Sequence, residues 1–172
     1  MEVQDDFNIR ELILNKETHV DFYHEVRQGV TSRREAIDEL ENLVEEIQDD
    51  FRRAVAQDLL GNREEAKNLL RNCSSNPLCI HLLGKLSLEE GNSKEALQVL
   101  EGGWAAHGGN YPRIGMLLCE ALIHEHRIEE ARELLAKLPD SVDHPRICYL
   151  EGLLHQHEGD YDEALQYYST AA

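Results

Sequence analysis

Apolar and polar positions recur along this chain with a period of 30 to 35 residues. Five segments end in Glu-Ala, and in four of them an apolar pair follows three and four residues after the alanine, on the same helical face. Four segments also have Ser, Asn or Asp three residues before the glutamate, the spacing of a capping box at a helix start. We therefore predict a helix that begins just before each of five alanines: Ala36, Ala66, Ala96, Ala131 and Ala164.

A second helix is predicted upstream of three of these alanines. Pro77, Pro112 and Pro145 each lie 19 residues before their alanine, and each opens an apolar segment. Proline suits the first turn of a helix because an N–H there would have no partner within the helix. In each unit a small residue stands 12 residues before the alanine, and a turn residue stands five residues before it. At the second position glycine can end a helix by adopting the left-handed conformation. The small residues are Gly84, Cys119 and Gly152, and the turn residues are Gly61, Gly91, His126 and Gly159.

This unit of helix, turn and capped helix resembles the tetratricopeptide repeat, which has a period of about 34 residues. The best match runs from Leu150-Glu151-Gly152 to Leu165, and the next best from Leu83 to Ala96. The unit that ends at Ala131 keeps the spacing but has replaced both glycines, and the unit that ends at Ala66 lacks the proline. The resemblance implies an all-α solenoid of helix pairs over residues 48–172, divided into a partial unit 48–76 and the units 77–111, 112–144 and 145–172.

Residues 1–47 are predicted to be an acidic N-terminal helical segment that precedes the solenoid. Residues 1–50 hold 15 carboxylates and 5 Lys or Arg. An apolar stripe at steps of three and four, with no Pro or Gly between Ser32 and Leu60, predicts one long helix. The stripe is either a core seam or one strand of an intermolecular coiled coil. It consists of Ile37, Leu40, Val44, Ile47, Phe51 and Ala54. Shorter helices are predicted around Val20, Tyr23 and Val26, ending near Gly29, and around Ile9, Leu12 and Ile13.

The net charge of −17 argues against nucleic acids and anionic membranes as partners, because both repel an acidic protein. No segment approaches the roughly 20 apolar residues of a membrane span, and the acidic N-terminus resembles no targeting signal. The four cysteines contain no CxxC pair, so we expect reduced thiols and a cytoplasmic location. They are Cys73, Cys79, Cys119 and Cys148.

The spacing of the residues matches no catalytic or metal-binding motif. His124 and His126, like His155 and His157, are two residues apart, which points the rings of each pair away from each other on a helix. His124 and His157 occupy equivalent places in neighbouring units, so a metal or pH sensor there is one hypothesis. The glycine pairs at 102–103 and 108–109 are placed in the longest linker between units and lack the spacing of a nucleotide loop. We therefore predict no enzyme, no cofactor and no metal site.

In tetratricopeptide repeat proteins the first helix of each unit lines a concave groove, and the resemblance implies which side chains face it. Arg113 and Arg146 are equivalent, and arginine binds carboxylates in a two-point geometry, so we predict a peptide or helix with an acidic group beside them. Tyr149 and Met116 are the predicted apolar anchors. The alternative is that both arginines are ordinary exposed first-turn residues. The other predicted groove residues are His81, Lys85, His124, Leu153 and His157.

The leading functional prediction is thus a non-enzymatic scaffold or adaptor that binds another protein. The alternatives are a small chaperone that holds a client segment, similar to those of bacterial secretion, and an RNA-binding helical repeat, which the acidic charge disfavours. A solenoid exposes an apolar face at an uncapped end. We expect Leu165 and Tyr168 to be uncovered, and either continuation of the array beyond Ala172 or self-association through that end.

Overall fold

The structure is a computed structural model that describes residues 8–19, 21–31, 34–139 and 144–172, and every regular element in these ranges is a helix. The predicted all-α fold is confirmed. The chain forms two compact units, Met1–Leu82 and Leu83–Ala172, and the boundary falls within one continuous helix. The domain boundaries inferred from the repeat stay predictions.

The described part of the first unit contains four complete α-helices and part of a fifth, together with two short turns of helix. Its core is built from side chains that are almost entirely buried, among them Ile9, Ile13 and Leu40. Phe22 and Phe51 pack with their ring centroids 6.0 Å apart. The elements are a π-helical turn Glu11–Asn15, α1 Phe22–Thr31, α2 Arg34–Leu43, a 3-10 turn Val44–Glu46, α3 Asp50–Leu59, α4 Arg63–Asn72 and the beginning of α5 Pro77–Glu89.

The prediction of one long helix from Ser32 to Leu60 is wrong, because the chain leaves the helix between α2 and α3. Ile47 is extended, with φ −75° and ψ 113°. Asp49 then starts α3 as its N-cap, where its side chain accepts a hydrogen bond of 2.8 Å from the backbone N–H of Arg52. The apolar stripe is nevertheless buried from Leu40 to Ala54, which supports its interpretation as a core seam. Helix α1 also continues past Gly29 to Thr31, and Val20 lies outside the described residues.

A buried carboxylate joins α1 to α3. The hydroxyl of Tyr23 donates a hydrogen bond of 2.6 Å to Oδ2 of Asp58, and Nε of Arg63 donates one of 2.9 Å to Oδ1. Arg27 donates to the Tyr23 hydroxyl at 3.3 Å. Both oxygens of the carboxylate are thereby satisfied, which is the condition for burying a charge.

A disulfide bond links Cys73 to Cys79, with Cα atoms 6.0 Å apart, so the prediction of reduced thiols is wrong for this pair. Helix α4 ends at Asn72 and α5 begins at Pro77, so the two cysteines face each other across the intervening turn. The remaining cysteines, Cys119 and Cys148, are buried and take no part in a disulfide. The cytoplasmic location stays a prediction.

The second unit consists of helix pairs joined by tight turns. It contains the rest of α5, then α6 Ser93–His107, α7 Pro112–His124, α8 Ile128–Leu135, α9 His144–Glu158 and α10 Tyr161–Ala171. Helices α6, α8 and α10 begin where the repeat predicts, as does α4 in the first unit. The predicted turn residues Gly61, Gly91 and Gly159 have φ of 84°, 73° and 89°. His126 has φ 58°, so the turn keeps its left-handed geometry without glycine.

The predicted helix caps form only in part. Asn92 accepts a hydrogen bond of 3.3 Å from the backbone N–H of Glu95, and its amide donates to the Glu95 carboxylate at 3.2 Å. Asn62 and Asp160 make no such cap, because the Asn62 amide donates to Gln57 and the Asp160 carboxylate faces a histidine. Ser32 lies outside the described residues.

Small residues lie where paired helices meet, as predicted. A Cβ added to Gly84 would lie 2.5 Å from Cδ2 of Leu100, and one added to Gly152 would lie 2.6 Å from the Tyr168 ring. The third small residue, Cys119, donates its thiol to the Ala131 carbonyl at 3.6 Å. The two helices of a unit can therefore pack closely only when the side chain at this position is small.

The placement of the glycine pair 102–103 in a linker is wrong, because both residues lie within α6. The helix continues to His107, and Trp104 packs its indole over two later glycines. A Cβ added to Gly108 would lie 2.6 Å from the indole, and one added to Gly115 of α7 would lie 2.7 Å from it. The ring therefore fills the space at the α6–α7 junction.

Candidate partner-binding face

Most of the predicted binding residues lie on the first helices of the second unit, and α7 and α9 pack against each other there. Arg146 connects these two helices. Its guanidinium pairs with the Glu120 carboxylate of α7 and lies 5.0 Å from the centroid of the Tyr149 ring. The contact with an aromatic face adds a cation–π attraction to the ion pair. We call the exposed surface around Arg146, Glu120 and Tyr149 the Arg146 face.

The Tyr149 ring also contacts α10. Its centroid lies 5.9 Å from that of Tyr168, whose hydroxyl donates a hydrogen bond of 2.6 Å to Oε1 of Gln156. Burial raises the pKa of Tyr149, the Glu120 carboxylate raises it further, and Arg146 opposes the rise. Burial also raises the pKa of Tyr168. Both phenols therefore stay protonated and can act as hydrogen-bond donors.

The predicted apolar anchors differ in what they can offer to a partner. Tyr149 is half-buried and keeps part of its ring at the surface. Met116 and Leu153 are only 4% and 9% exposed and belong to the core. These two residues therefore present little surface to a ligand.

The predicted polar residues are distributed along the first helices. Arg113 is half-buried near the start of α7, one repeat before Arg146. Lys85 on α5 pairs with Glu89 at 3.9 Å. His81 is half-buried and belongs to the first unit. The ion pairs of Arg146 and Lys85 make these helices locally less acidic than the chain's total charge of −17 suggests.

The structure brings histidines of neighbouring repeats together. The rings of His126 and His157 contact edge to face, with centroids 5.3 Å apart. Desolvation lowers the pKa of His157, and repulsion by protonated His126 and His124 lowers it further. His124 and His157 are both exposed at the ends of their helices.

Two large apolar side chains of α10 are open to solvent among exposed polar ones. Leu165 is 68% exposed and Tyr161 is 70% exposed. The expectation that Leu165 is uncovered is therefore confirmed. Tyr168 differs from the expectation because its ring packs against Gly152 and is half-buried.

The sequence analysis missed the partners that orient the Arg146 face. Glu120 and Tyr168 belong to other helices and lie 26 and 22 residues from Arg146 in sequence. Two further ion pairs also join residues 26 apart, Arg127 with Glu101 and Arg132 with Glu158. This separation is shorter than the repeat period of 30 to 35 residues, so each pair joins different positions of neighbouring repeats.

Two family models match the chain, and both are described as tetratricopeptide repeat. One covers residues 87–154 and the other residues 145–172, so together they span half of the chain. No curated protein is significantly similar to it. Within the described residues, each helix is too short or too polar to cross a membrane. Tetratricopeptide repeats are generally protein–protein interaction modules. The repeat spacing, the packed helix pairs and both matches agree that the chain belongs to the tetratricopeptide repeat family.

Proposed function

We propose that this chain is a non-enzymatic adaptor whose Arg146 face binds an acidic segment of another protein. The observation that carries the proposal is the position of the Arg146 guanidinium, held between the Glu120 carboxylate and the Tyr149 ring. Both contacts restrict the side chain before any partner arrives. A cation with restricted rotamers loses less entropy when it binds, so a carboxylate gains more affinity there.

The charges of this face support an acidic ligand. The Arg146 side chain is 34% exposed, whereas that of Glu120 is 15% exposed, so the cation is the more accessible member of the pair. A guanidinium carries five N–H donors, and Glu120 does not use them all. A carboxylate from a partner would bridge to the outer donors, and its neighbouring apolar side chain would rest on Tyr149.

The repeat also gives the proposed ligand a direction. Arg113 holds the position equivalent to Arg146 one repeat earlier, on a helix that packs directly against α9. Packed helices lie roughly 10 Å apart. A segment that runs across α9 and α7 would therefore carry two acidic groups separated by about that distance, one beside each arginine.

The test is a selection of peptides from a random display library on the tag-free chain, followed by anisotropy measurements on the selected peptides. We expect acidic sequences, and we expect Arg146→Gln to weaken them about tenfold, since a partly exposed charge-assisted hydrogen bond contributes about 1.5 kcal/mol. Tyr149→Ala should weaken binding more than Tyr149→Phe, which keeps the ring.

The matched control is Arg127→Gln. Arg127 is as exposed as Arg146 and also pairs with carboxylates, those of Glu101 and Glu130, but it lies at the start of α8. Equal loss of affinity in both arginine variants would show a general charge effect and refute the Arg146 face as the binding surface. Selection of basic or purely apolar peptides would refute the acidic ligand.

A further inference from the structure

One cluster of potential metal ligands lies at the turn between α9 and α10, apart from the residues of the Arg146 face. His155, Glu158 and Asp160 each offer one ligand atom, and the three atoms lie within 4.8 Å of one another. Nδ1 of His155 is 3.9 Å from Oε2 of Glu158 and 3.8 Å from Oδ2 of Asp160. These separations are too long for hydrogen bonds and leave room between the atoms.

The imidazole nitrogen is what distinguishes this cluster from other carboxylates of an acidic chain. Nδ1 of His155 is buried and has no hydrogen-bond partner. Leaving a buried polar atom without a hydrogen bond destabilises the fold, and a bound cation would relieve this cost. Two carboxylate oxygens nevertheless lie 3.9 and 3.8 Å from this atom, one from the residue before Gly159 and one from the residue after it. We propose that His155, Glu158 and Asp160 bind a divalent transition-metal ion, with Zn²⁺ as the best fit.

Local structure holds the three ligands in place. His155 and Glu158 are three residues apart in the last turn of α9, so they lie on one side of the helix. Gly159, with φ 89°, then reverses the chain and returns Asp160 toward them. Asp160 stands at the N-cap of α10 but makes no capping hydrogen bond, which leaves its carboxylate available.

Contacts outside the cluster orient the ligands further. The His155 ring stacks on Tyr167 of α10, with centroids 5.3 Å apart and planes at 12°. The other oxygen of the Glu158 carboxylate, Oε1, accepts a hydrogen bond from Arg132 of α8, so Oε2 is turned toward the histidine. Such outer contacts commonly fix the geometry of metal ligands and raise their affinity.

The distances suit a tetrahedral Zn²⁺ site. Bonds of about 2.0–2.2 Å place tetrahedral ligand atoms roughly 3.3–3.6 Å apart. The two distances from the histidine nitrogen, 3.8 and 3.9 Å, exceed this range by only a few tenths of an ångström, and the two carboxylate oxygens lie within 4.8 Å of each other. The side chains of Asp160 and Glu158 are 59% and 32% exposed, so they have room to adjust. Three protein ligands leave a fourth position for water. The C-terminal end of α9 also favours a cation through its helix dipole.

The nitrogen ligand also limits which metal ions we expect to bind at this cluster. Mg²⁺ and Ca²⁺ prefer oxygen ligands, whereas Zn²⁺ accepts imidazole together with carboxylate. We therefore expect calorimetric titration of the tag-free chain to show one saturable equivalent of Zn²⁺ that excess Mg²⁺ does not displace. The signal of Nδ1, and not that of Nε2, should shift in the nitrogen NMR spectrum of the His155 ring.

Asp160→Asn is the main variant, because asparagine is an equally good N-cap residue and should leave the fold intact. It should weaken Zn²⁺ binding on the order of tenfold or more, as should His155→Ala. His24→Ala is the matched control, because His24 is an exposed histidine in the first unit and should leave affinity unchanged. Circular dichroism confirms that each variant is folded.

Three outcomes would overturn the proposal. Unchanged affinity in both Asp160→Asn and His155→Ala would remove these residues as ligands. Loss of affinity in His157→Ala alone would place the ion on the His126–His157 pair instead. Several weak equivalents that Mg²⁺ displaces would show general attraction to an acidic surface, and the paired carboxylates would then serve only to neutralise a protonated His155.

Discussion

Removal of the Asp58 carboxylate should destabilise the first unit, because two helices depend on it for their buried hydrogen bonds. The Asp58 side chain is only 3% exposed. Its two oxygens accept from the Tyr23 hydroxyl at 2.6 Å and from Nε of Arg63 at 2.9 Å. Asp58→Ala removes both acceptors and leaves the donors behind.

The expected cost follows from the exposure of the two donors. Tyr23 is 4% exposed, so its hydroxyl is left without this acceptor in the core, at about 1–3 kcal/mol. The Arg63 side chain is 32% exposed and regains water, so its share stays below about 1 kcal/mol. The sum is roughly 1–4 kcal/mol of unfolding free energy.

Urea unfolding followed by circular dichroism measures this cost, and hydrogen exchange of the amides in α1 and α3 locates it. The Tyr23→Phe variant and the double variant complete a thermodynamic cycle. We expect a coupling energy of about 1–2 kcal/mol between the two side chains, because they share one hydrogen bond. A loss below about 0.5 kcal/mol for Asp58→Ala, or strict additivity in the cycle, would refute this reasoning.

Two further predictions concern titratable side chains. Ellman's reagent should find two thiols in the unfolded, unreduced chain and four after reduction, and four thiols without reduction would contradict the disulfide. In the folded chain Cys119 should resist the reagent, because burial and the Glu151 carboxylate raise the pKa of its thiol to about 12. The folded pKa of His157 lies below its ordinary value of 6.5, so folded protein takes up this proton less readily than unfolded protein, and stability present above pH 6.5 should decrease as the pH falls toward the folded pKa. In NMR titrations His126→Ala should raise the pKa of His157 without fully restoring it, because desolvation remains, and an unmoved or lowered pKa would show that the ring contact is not responsible.

The repeat architecture was predictable because its signals are local. Each turn depends on a left-handed residue five positions before an alanine, and the helix pairs depend on small residues such as Gly84 and Gly152. These requirements act within one unit of helix, turn and helix, so they determine the spacing of residues along the sequence. His126 shows that the pattern is more informative than any single residue, since it adopts φ 58° where glycine is expected.

The break between α2 and α3 was missed because it preserves the apolar spacing. The 3-10 turn at Val44–Glu46 and the extended Ile47 keep the stripe on the buried side. The next helix follows Asp49, whose side chain caps the Arg52 N–H. In the sequence, Asp49 looks like the other acidic residues of this segment.

Features that depend on contacts between helices, or on the exact path of the chain between them, could not be predicted. The cation–carboxylate pair of Arg146 and Glu120 requires two helices of neighbouring repeats, and the cluster around His155 requires the exact course of the α9–α10 turn. The disulfide likewise depended on where α4 ends and α5 begins.

The indole of Trp104 gives the molecule an intrinsic fluorescent reporter. It is the only tryptophan in the sequence, and it lies against Gly108 and Gly115 at the α6–α7 junction, where a Cβ on Gly115 would also meet Leu138. Its emission wavelength therefore depends on whether α6 and α7 remain in contact. A shift toward red would mark water entering this junction, and a change on ligand addition would show that α7, which contributes Glu120 to the Arg146 face, transmits the event to its neighbour. Such measurements need no attached dye and no substitution.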